Sequence, residues 1–160
     1  MTREQFINHV EGCQRALRRF LTALCCGDSQ LADDIAQESL IKAYLSCEGF
    51  REDARFTTWI YRIAYNTFVT HKRSARPTEA LDQAHTAMAP EGADSSFEYQ
   101  ELHAALDGLP PKERTAVLLF YMDSYSTKEI AEITDTSEAA VRQHLSRGRN
   151  HLRNILSTYQ

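Results

Sequence analysis

The sequence predicts an all-α protein made of two small helical domains that an acidic linker joins. Apolar residues recur at spacings of three and four, which is the period of one helix face. The 160 residues include only 6 Gly and 4 Pro, whereas strong helix formers such as Ala and Leu are plentiful. Hydrophobic residues make up 42% of the chain, enough for packed cores. We expect domains at 1–76 and 97–160, with the linker at 77–96.

The first domain is predicted to be a bundle of three to four helices. The first helix carries an apolar stripe of Phe6, Val10, Cys13, Leu17, Phe20, Leu21 and Leu24, which Gly27 ends. A second helix follows with the apolar set Leu31, Ile35, Leu40, Ile41 and Tyr44. After a loop at 47–55, a third helix carries Phe56, Trp59, Ile60, Ile63, Ala64 and Phe68. Three antiparallel helices of this length can share one core.

The linker prediction depends on composition and charge. Residues 77–96 contain Pro77, Pro90 and Gly92 with little periodicity. Residues 77–110 hold seven Asp or Glu and no Lys or Arg, within a chain of net charge −4. About 20 structureless residues inside one compact domain would be unusual, which favours two domains.

The second domain is predicted to contain four helices. A short helix begins near residue 97, and Pro110 and Pro111 separate it from a helix that runs into the apolar stretch 115–122. Ser126 and Glu129 have the spacing of a capping box, which predicts the start of a third helix. The polar turn 135–137 separates that helix from a last one, which ends near residue 156.

The last two helices have the pattern of a helix-turn-helix. Their inward positions are Ile130, Ala131, Ile133, Val141 and Leu145. The positions left outside include Arg142, Gln143, Ser146, Arg147 and Arg149, and no acidic residue follows Glu138. Arg and Gln can pair with base edges, and Arg also binds phosphate. A solvated helix face would explain the charge alone, but the capped partner helix and the turn favour contact with DNA.

Two further segments carry candidate binding residues. Between Phe50 and Arg73, aromatic and basic residues alternate, which suits single-stranded nucleic acid. The aromatic side chains suit a protein core equally well, and Trp59 is better interpreted as core than Phe50, which lies on the loop. The second helix carries an acidic face of Asp33, Asp34, Gln37, Glu38 and Lys42. That face could contact a basic or mixed protein surface, although an ordinary solvated face is the simpler interpretation of these residues alone.

Catalysis is not predicted. The sequence has no Gly-rich phosphate loop, and Cys13, Cys25, Cys26 and Cys47 do not have the spacing of a zinc site. We therefore expect no enzyme activity, no cofactor and no small-molecule substrate. No secretory signal is recognisable, so we expect a reduced, cytoplasmic protein.

Taken together, the segments resemble a bacterial sigma factor of the extracytoplasmic-function (ECF) group in the sigma-70 family. DDIAQESLIKAY resembles the helix that binds core RNA polymerase, and FREDARFTTWIYRIAYNTFVTHKR resembles the region that reads and melts the −10 element. LPPKERTAVLLFYMDSYSTKEIAEITDTSEAAVRQHLSRGRNHLR resembles the domain that reads the −35 element. The chain departs from the family at Asp123–Tyr125, where Gly is usual, and at Gly148 inside the recognition helix.

The resemblance implies a role for each set of residues. The residues implied for the β′ clamp of polymerase are Asp33, Asp34, Gln37, Glu38 and Lys42. Those implied for the −10 element are Phe50, Arg51, Arg55, Arg62, Tyr65, Asn66 and Lys72. Those implied for the −35 element are Arg142, Gln143, His144, Ser146, Arg147 and Arg149.

The resemblance also implies a set of partners. They are core RNA polymerase, through the β′ clamp and the β flap, promoter DNA, and an anti-sigma factor that could hold the protein at the inner membrane face. Two alternatives stay open, namely a helix-turn-helix repressor that acts without polymerase and a sigma-mimicking interaction protein.

Overall fold

Seven α-helices and two short turns make up the part of the chain that the computed structural model describes, which is residues 1–51, 55–75 and 97–158. No strand occurs within these ranges, and none of their helices is both long and apolar enough to cross a membrane. The all-α prediction with two small helical domains is confirmed. The predicted acidic linker, 77–96, lies outside the described residues, as do 52–54 of the predicted loop.

Helices α1 (Arg3–Leu24), α2 (Ser29–Ser46) and α3 (Phe56–Ala75) form the first domain. Side-chain caps set two of the starts: Thr2 and Gln5 form a capping box at α1, and Asp28 accepts a hydrogen bond from the Leu31 amide at α2. A 3₁₀ turn, Cys47–Gly49, follows α2. The core between the three helices is built from fully buried side chains, among them Leu17, Phe20, Leu21, Ile35 and Ile60.

The predicted apolar face of α2 was partly wrong. Its buried residues are Ala32, Ile35, Ala36, Ser39 and Ala43. Ile41, predicted to face the core, is 60% exposed. Small side chains on the inner face allow α2 to lie close to both α1 and α3, while Ile41 and Leu45 are turned outward.

Helices α4 (Phe97–Asp107), α5 (Pro111–Val117), α6 (Thr127–Thr134) and α7 (Glu138–Ser157) form the second domain. The predicted capping box at Ser126 and Glu129 is present, and α6 ends at Asp135, which has a left-handed φ of 55°. After α5 the chain continues as a π-helical turn, Leu118–Met122. Ser124 then takes a φ of 60°, within the turn where the resembled family usually has Gly.

The two domains are in contact. Arg114 of α5 is 6% exposed, and its Nη1 donates a hydrogen bond to the Leu24 carbonyl at the end of α1 (3.0 Å). The Tyr61 ring of α3 lies 5.1 Å from the Tyr125 ring, which precedes α6. The helix-turn-helix therefore packs against the third helix of the first domain.

Candidate nucleic-acid interface

Helix α7 presents a polar, cationic face to solvent. Ser137 caps the helix by accepting a hydrogen bond from the Ala140 amide (3.1 Å). Val141 and Leu145 are buried at 1% and 3% exposure, so the inward pattern predicted from the sequence is confirmed. The exposed positions on the other side are Arg142, Gln143, Ser146, Arg147 and Arg149. This face carries no carboxylate beyond the first turn of the helix, which suits docking into a DNA groove.

Two arginines of α7 make weak surface contacts with other described residues. Arg142 pairs with Glu138 one turn earlier (3.2 Å), and Arg149 Nη1 donates to the Tyr121 hydroxyl (3.3 Å). A helix pair of this kind contributes about 0.3–0.5 kcal/mol, so a phosphate can readily replace Glu138. His144 is half-buried, and burial together with the nearby Lys112 cation lowers its pKa. We therefore expect His144 to act at neutral pH as a neutral hydrogen-bonding group.

Four of the residues predicted for the −10 element lie against the second domain. Arg55 Nη1 is 2.8 Å from Glu129 Oε2, and Arg62 Nη2 is 3.8 Å from Asp135 Oδ1. Tyr65 and Asn66 line a cleft between α3 and the helix-turn-helix. Burial raises the pKa of Tyr65, although a hydrogen bond with Thr115 opposes the shift.

The other three residues predicted for the −10 element are not covered by the helix-turn-helix. Arg51 is exposed, and Lys72 is half-buried with its Nζ 5.9 Å from the Phe68 ring. Phe50 is half-buried, with its ring 4.8 Å from that of Trp59 and 6.0 Å from that of Phe56. Phe50 therefore belongs to an aromatic cluster, and a base that stacks there would contact several aromatic rings.

The acidic face of α2 is exposed to solvent, as a surface that binds another protein must be. Asp33, Asp34, Gln37 and Lys42 are exposed, and Glu38 is half-buried. Hydrogen bonds from His71 of α3 and from Lys42 lower the pKa of Glu38. The His71 Nε2 to Glu38 Oε2 distance is 2.6 Å, so the candidate clamp-binding face is tied to α3.

The sequence reasoning missed the apolar part of this face. Ile41 and Leu45 are 60% and 73% exposed. They follow Asp34 and Gln37 at helical spacing, so the four side chains form one stripe along α2. Ile41 was assigned to the core because it is hydrophobic. The signal that would have placed it outside is the set of small residues Ala32, Ala36 and Ala43, which marks the opposite face of α2 as the closely packed one.

Two buried charged residues were also missed. Arg114 donates to the carbonyls of Leu106, Asp107 and Leu109 at the end of α4, besides that of Leu24. Asp123, after the π-helical turn, has a side chain only 5% exposed beside Arg19 of α1. The available signal for Arg114 was its position beside Glu113 at the start of an apolar stretch. Charged residues are seldom fully buried unless they have partners, so a buried arginine there predicts hydrogen bonds to nearby groups.

Comparisons with known proteins agree with this arrangement. Residues 9–78 match the Sigma-70 region 2 family, and residues 99–152 match the Sigma-70, region 4 family. The chain is 34% identical over 145 residues to the ECF RNA polymerase sigma factor SigW of Bacillus subtilis, covering 81% of this chain and 78% of that protein. It is 35% identical over 137 residues to the RNA polymerase sigma-H factor of Pseudomonas aeruginosa, covering 76% of this chain and 71% of that one.

Two solved structures share the fold. One is the sigma factor RpoE in complex with the anti-sigma factor NepR from Bartonella quintana, with a TM-score of 0.83, 24% identity, and coverage of 98% of this chain and 99% of that one. The other is CnrH in complex with the cytosolic domain of CnrY, with a TM-score of 0.75, 20% identity, and coverage of 99% and 92%. The family matches and the coverage of its relatives show that the chain belongs to the ECF sigma factors of RNA polymerase, in the sigma-70 family.

Proposed function

We propose that this sigma factor engages RNA polymerase and promoter DNA through three separate surfaces. The domain at 97–160 reads the −35 element with Arg142, Gln143, His144, Ser146, Arg147 and Arg149. The domain at 1–76 reads and melts the −10 element with Phe50, Arg51, Arg55, Arg62, Tyr65, Asn66 and Lys72. The acidic face of α2, with Asp33, Asp34, Gln37, Glu38 and Lys42, binds the β′ clamp, and the second domain contacts the β flap.

The exposed cationic face of α7 is the observation that carries this proposal. Glu138 is the last acidic residue of the chain, and Arg142, Arg147 and Arg149 follow it on exposed positions. Electrostatic repulsion between such cations is tolerated where a polyanion docks. The face belongs to the second helix of a helix-turn-helix, which is the helix that enters the major groove in this motif.

The stripe on α2 supports the assignment of the polymerase surface. Asp34 and Gln37 supply polar contacts, while Ile41 and Leu45 supply apolar area that remains uncovered in the free protein. Large aliphatic side chains that stay exposed at helical spacing are typical of protein-binding surfaces. In this proposal the acidic linker 77–96 connects the two DNA-binding domains along the polymerase interior.

We also propose an anti-sigma partner and a cytoplasmic site of action. In the two structures of similar fold, the sigma factor RpoE is bound to the anti-sigma factor NepR, and CnrH is bound to the cytosolic domain of CnrY. Both domains expose apolar residues that such a partner could cover, among them Ile41, Leu45 and Tyr121. Promoter recognition takes place where polymerase and DNA are, which places the protein in the cytoplasm.

Reconstituted transcription tests the three surfaces separately. The protein is mixed with core RNA polymerase and a genomic promoter library, and start sites are sequenced. Arg147→Ala is expected to lower use of −35-dependent promoters by about tenfold, because one base-reading arginine contributes about 1–3 kcal/mol, while binding to core polymerase is unchanged. Asp34→Asn with Glu38→Gln is expected to weaken binding to core polymerase and to leave recognition of the −35 element unchanged. Arg153→Ala, exposed on the same helix beyond the proposed reading face, is the matched control.

The same experiment separates the alternatives. A repressor would bind promoter DNA tightly without polymerase and direct no start sites. A sigma mimic would bind neither DNA nor polymerase productively. Loss of polymerase binding in Arg147→Ala would overturn the assignment of α7.

A further inference from the structure

The helix-turn-helix domain places two carboxylates next to two arginines that are proposed to contact the −10 strand, one just before α3 and one within it. Glu129 Oε2 lies 2.8 Å from Arg55 Nη1, and Asp135 Oδ1 lies 3.8 Å from Arg62 Nη2. Arg55 immediately precedes α3, and Arg62 lies two turns further along it. A single-stranded DNA backbone would offer anionic oxygens to the same two guanidinium groups.

Local structure at the two ends of α6 positions the residues that carry the two carboxylates. Glu129 Oε1 accepts a hydrogen bond from the Ser126 amide (3.1 Å), so the capping box fixes the carboxylate that faces Arg55. Burial alone would raise the pKa of Glu129, but hydrogen bonds from Ser126 and Arg55 outweigh it and lower the pKa. Asp135 ends α6 in the left-handed region, which directs the chain toward α7.

Aromatic and polar contacts extend the covered surface between the two ion pairs. Tyr61, 2% exposed, packs against the Tyr125 ring at 5.1 Å. Tyr65 and Asn66, one turn further, line the cleft together with Thr134 and Thr136 of the helix-turn-helix. A DNA strand cannot follow this side of α3 while α6 occupies it.

We propose that in the free protein the helix-turn-helix domain is an intramolecular competitor of the −10 strand, with Glu129 and Asp135 in the places of DNA phosphates. This inference rests on the proposed contact of α3 with the −10 element. The −35 face of α7 stays exposed in the same arrangement. The free protein can therefore dock its second domain on duplex DNA, but it binds single strands only after the domains separate, as binding to polymerase would require.

The ion pairs of Arg55 and Arg62 are weak, as expected of a contact between domains that must separate. The side chains of Arg55 and Arg62 are 74% and 51% exposed, so each pair is screened by solvent. Exposed ion pairs contribute about 0–1 kcal/mol each. The free energy of binding to polymerase through an interface of ordinary size would exceed this contribution. Neutralising both carboxylates should therefore weaken the contact that covers α3, and so favour single-strand binding, without unfolding either domain.

A double substitution in the full chain tests the proposal. Glu129→Gln keeps an oxygen that can accept from the Ser126 amide, and Asp135→Asn is tolerated in the left-handed region. Binding is measured by fluorescence anisotropy with two mixed-sequence probes, a labelled DNA single strand and a labelled duplex. We expect affinity for the single strand to rise about three- to tenfold, because the variant lacks two exposed ion pairs that oppose strand binding. Affinity for the duplex should change by less than about twofold.

The matched control removes the same charge elsewhere. Glu4→Gln with Glu11→Gln changes two exposed carboxylates of α1 that lie outside the interface. An equal gain of single-strand affinity in this control would show a general charge effect and overturn the proposal. Unchanged single-strand affinity in Glu129→Gln/Asp135→Asn would overturn it as well, provided that circular dichroism shows native helix content.

A parallel assay keeps this failure distinct from failure of the proposed function. Arg55→Gln with Arg62→Gln is assembled with core polymerase, and promoter melting is measured. Unimpaired melting would overturn the −10 assignment itself, and the competitor proposal with it. Impaired melting together with unchanged single-strand affinity of Glu129→Gln/Asp135→Asn would overturn the competitor proposal alone.

Discussion

Asp123 is a carboxylate in a site that solvent hardly reaches. Its side chain is 5% exposed, and its Oδ2 has no hydrogen-bond partner among the described residues. Burial raises its pKa to about 6, an effect that Arg19 and Tyr61 only partly oppose. Arg19 Nη2 is 3.8 Å away, too far for a close hydrogen-bonded pair. The ionised form of Asp123 therefore destabilises the fold.

Asp123→Asn is expected to stabilise the protein in a pH-dependent way. Well below pH about 4 the carboxyl is protonated in both the folded and the unfolded chain, so the variant should gain little there. Between pH about 4 and 6 the unfolded chain ionises first, and the cost of ionising the folded carboxyl grows until it is complete above pH 6. We expect the free energy of unfolding to rise by about 3 kcal/mol at pH 7.5, since the pKa of Asp123 is raised by about two units and one unit corresponds to about 1.4 kcal/mol.

Urea unfolding at pH 4, 6 and 7.5 measures this difference. Asp34→Asn, an exposed aspartate of α2, serves as the control and should change stability by less than about 0.5 kcal/mol. A loss of stability in Asp123→Asn at pH 7.5 would mean that attraction to Arg19 exceeds the cost of burial.

Single positions were predictable from the sequence where a local hydrogen bond or a periodic pattern decides them. The caps at Ser126 and Glu129 follow from side-chain chemistry within four residues, and the inward Val141 and Leu145 follow from helical period. Ile41 was misplaced because hydrophobicity alone does not say which of two apolar faces meets a neighbouring helix.

At the scale of helices, Gly148 sets how closely α7 approaches α5. A Cβ at Gly148 would lie 2.8 Å from Val117 Cγ2 and 3.6 Å from Glu113 Cβ. The expected cost of Gly inside a helix is thus offset by a close helix–helix contact. The same contact turns the arginine-bearing face of α7 away from the core.

Gly148→Ala is expected to destabilise the protein although Ala is the better helix former. Overpacking of a core costs about 1–3 kcal/mol, which exceeds the gain in helix propensity of about 1 kcal/mol. Gly12 of α1 is the matched control, because a Cβ there would meet nothing within 4 Å. Thermal unfolding should show a lower Tm for Gly148→Ala and a higher Tm for Gly12→Ala. A higher Tm for both would show that α5 and α7 can separate without cost.

For the molecule as a whole, Arg114 connects helix ends from both domains. Its guanidinium donates to Leu106, Asp107 and Leu109 at the end of α4 and to Leu24 at the end of α1. Carbonyls at the end of a helix lack intrahelical partners and attract cations, so one side chain satisfies several of them. Stability of the two domains should therefore be coupled.

Arg114→Lys tests this coupling, because Lys keeps the charge but lacks the planar set of donors. We expect a loss of about 2–4 kcal/mol, the cost of leaving buried carbonyls without partners. Trp59, the single tryptophan, belongs to the first domain and reports its unfolding by fluorescence, whereas circular dichroism reports all helices. Both transitions should shift together, and Arg153→Lys should shift neither. A Trp59 transition that stays in place would mean that the domains unfold independently.

The contact between the domains could not be predicted from the sequence. Helix periodicity reports that a face is buried but not which element buries it, so Tyr61 and Tyr125 gave no sign that they meet. The ion pairs of Arg55 and Arg62 join residues more than 70 positions apart, and no local rule connects them. Family resemblance supplied the proposed surfaces for DNA and polymerase, while the arrangement of these surfaces relative to one another required the folded chain.

The exposed arginines of α7 have a consequence for handling the protein. Its pI of about 5.9 and net charge of −4 would ordinarily direct a purification toward anion exchange at neutral pH. Retention on a column, however, depends on the local cluster that meets the resin, and Arg142, Arg147 and Arg149 form one. Sulfated polysaccharides such as heparin should thus capture this acidic protein, and leftover nucleic acid from a lysate should accompany it until salt displaces both.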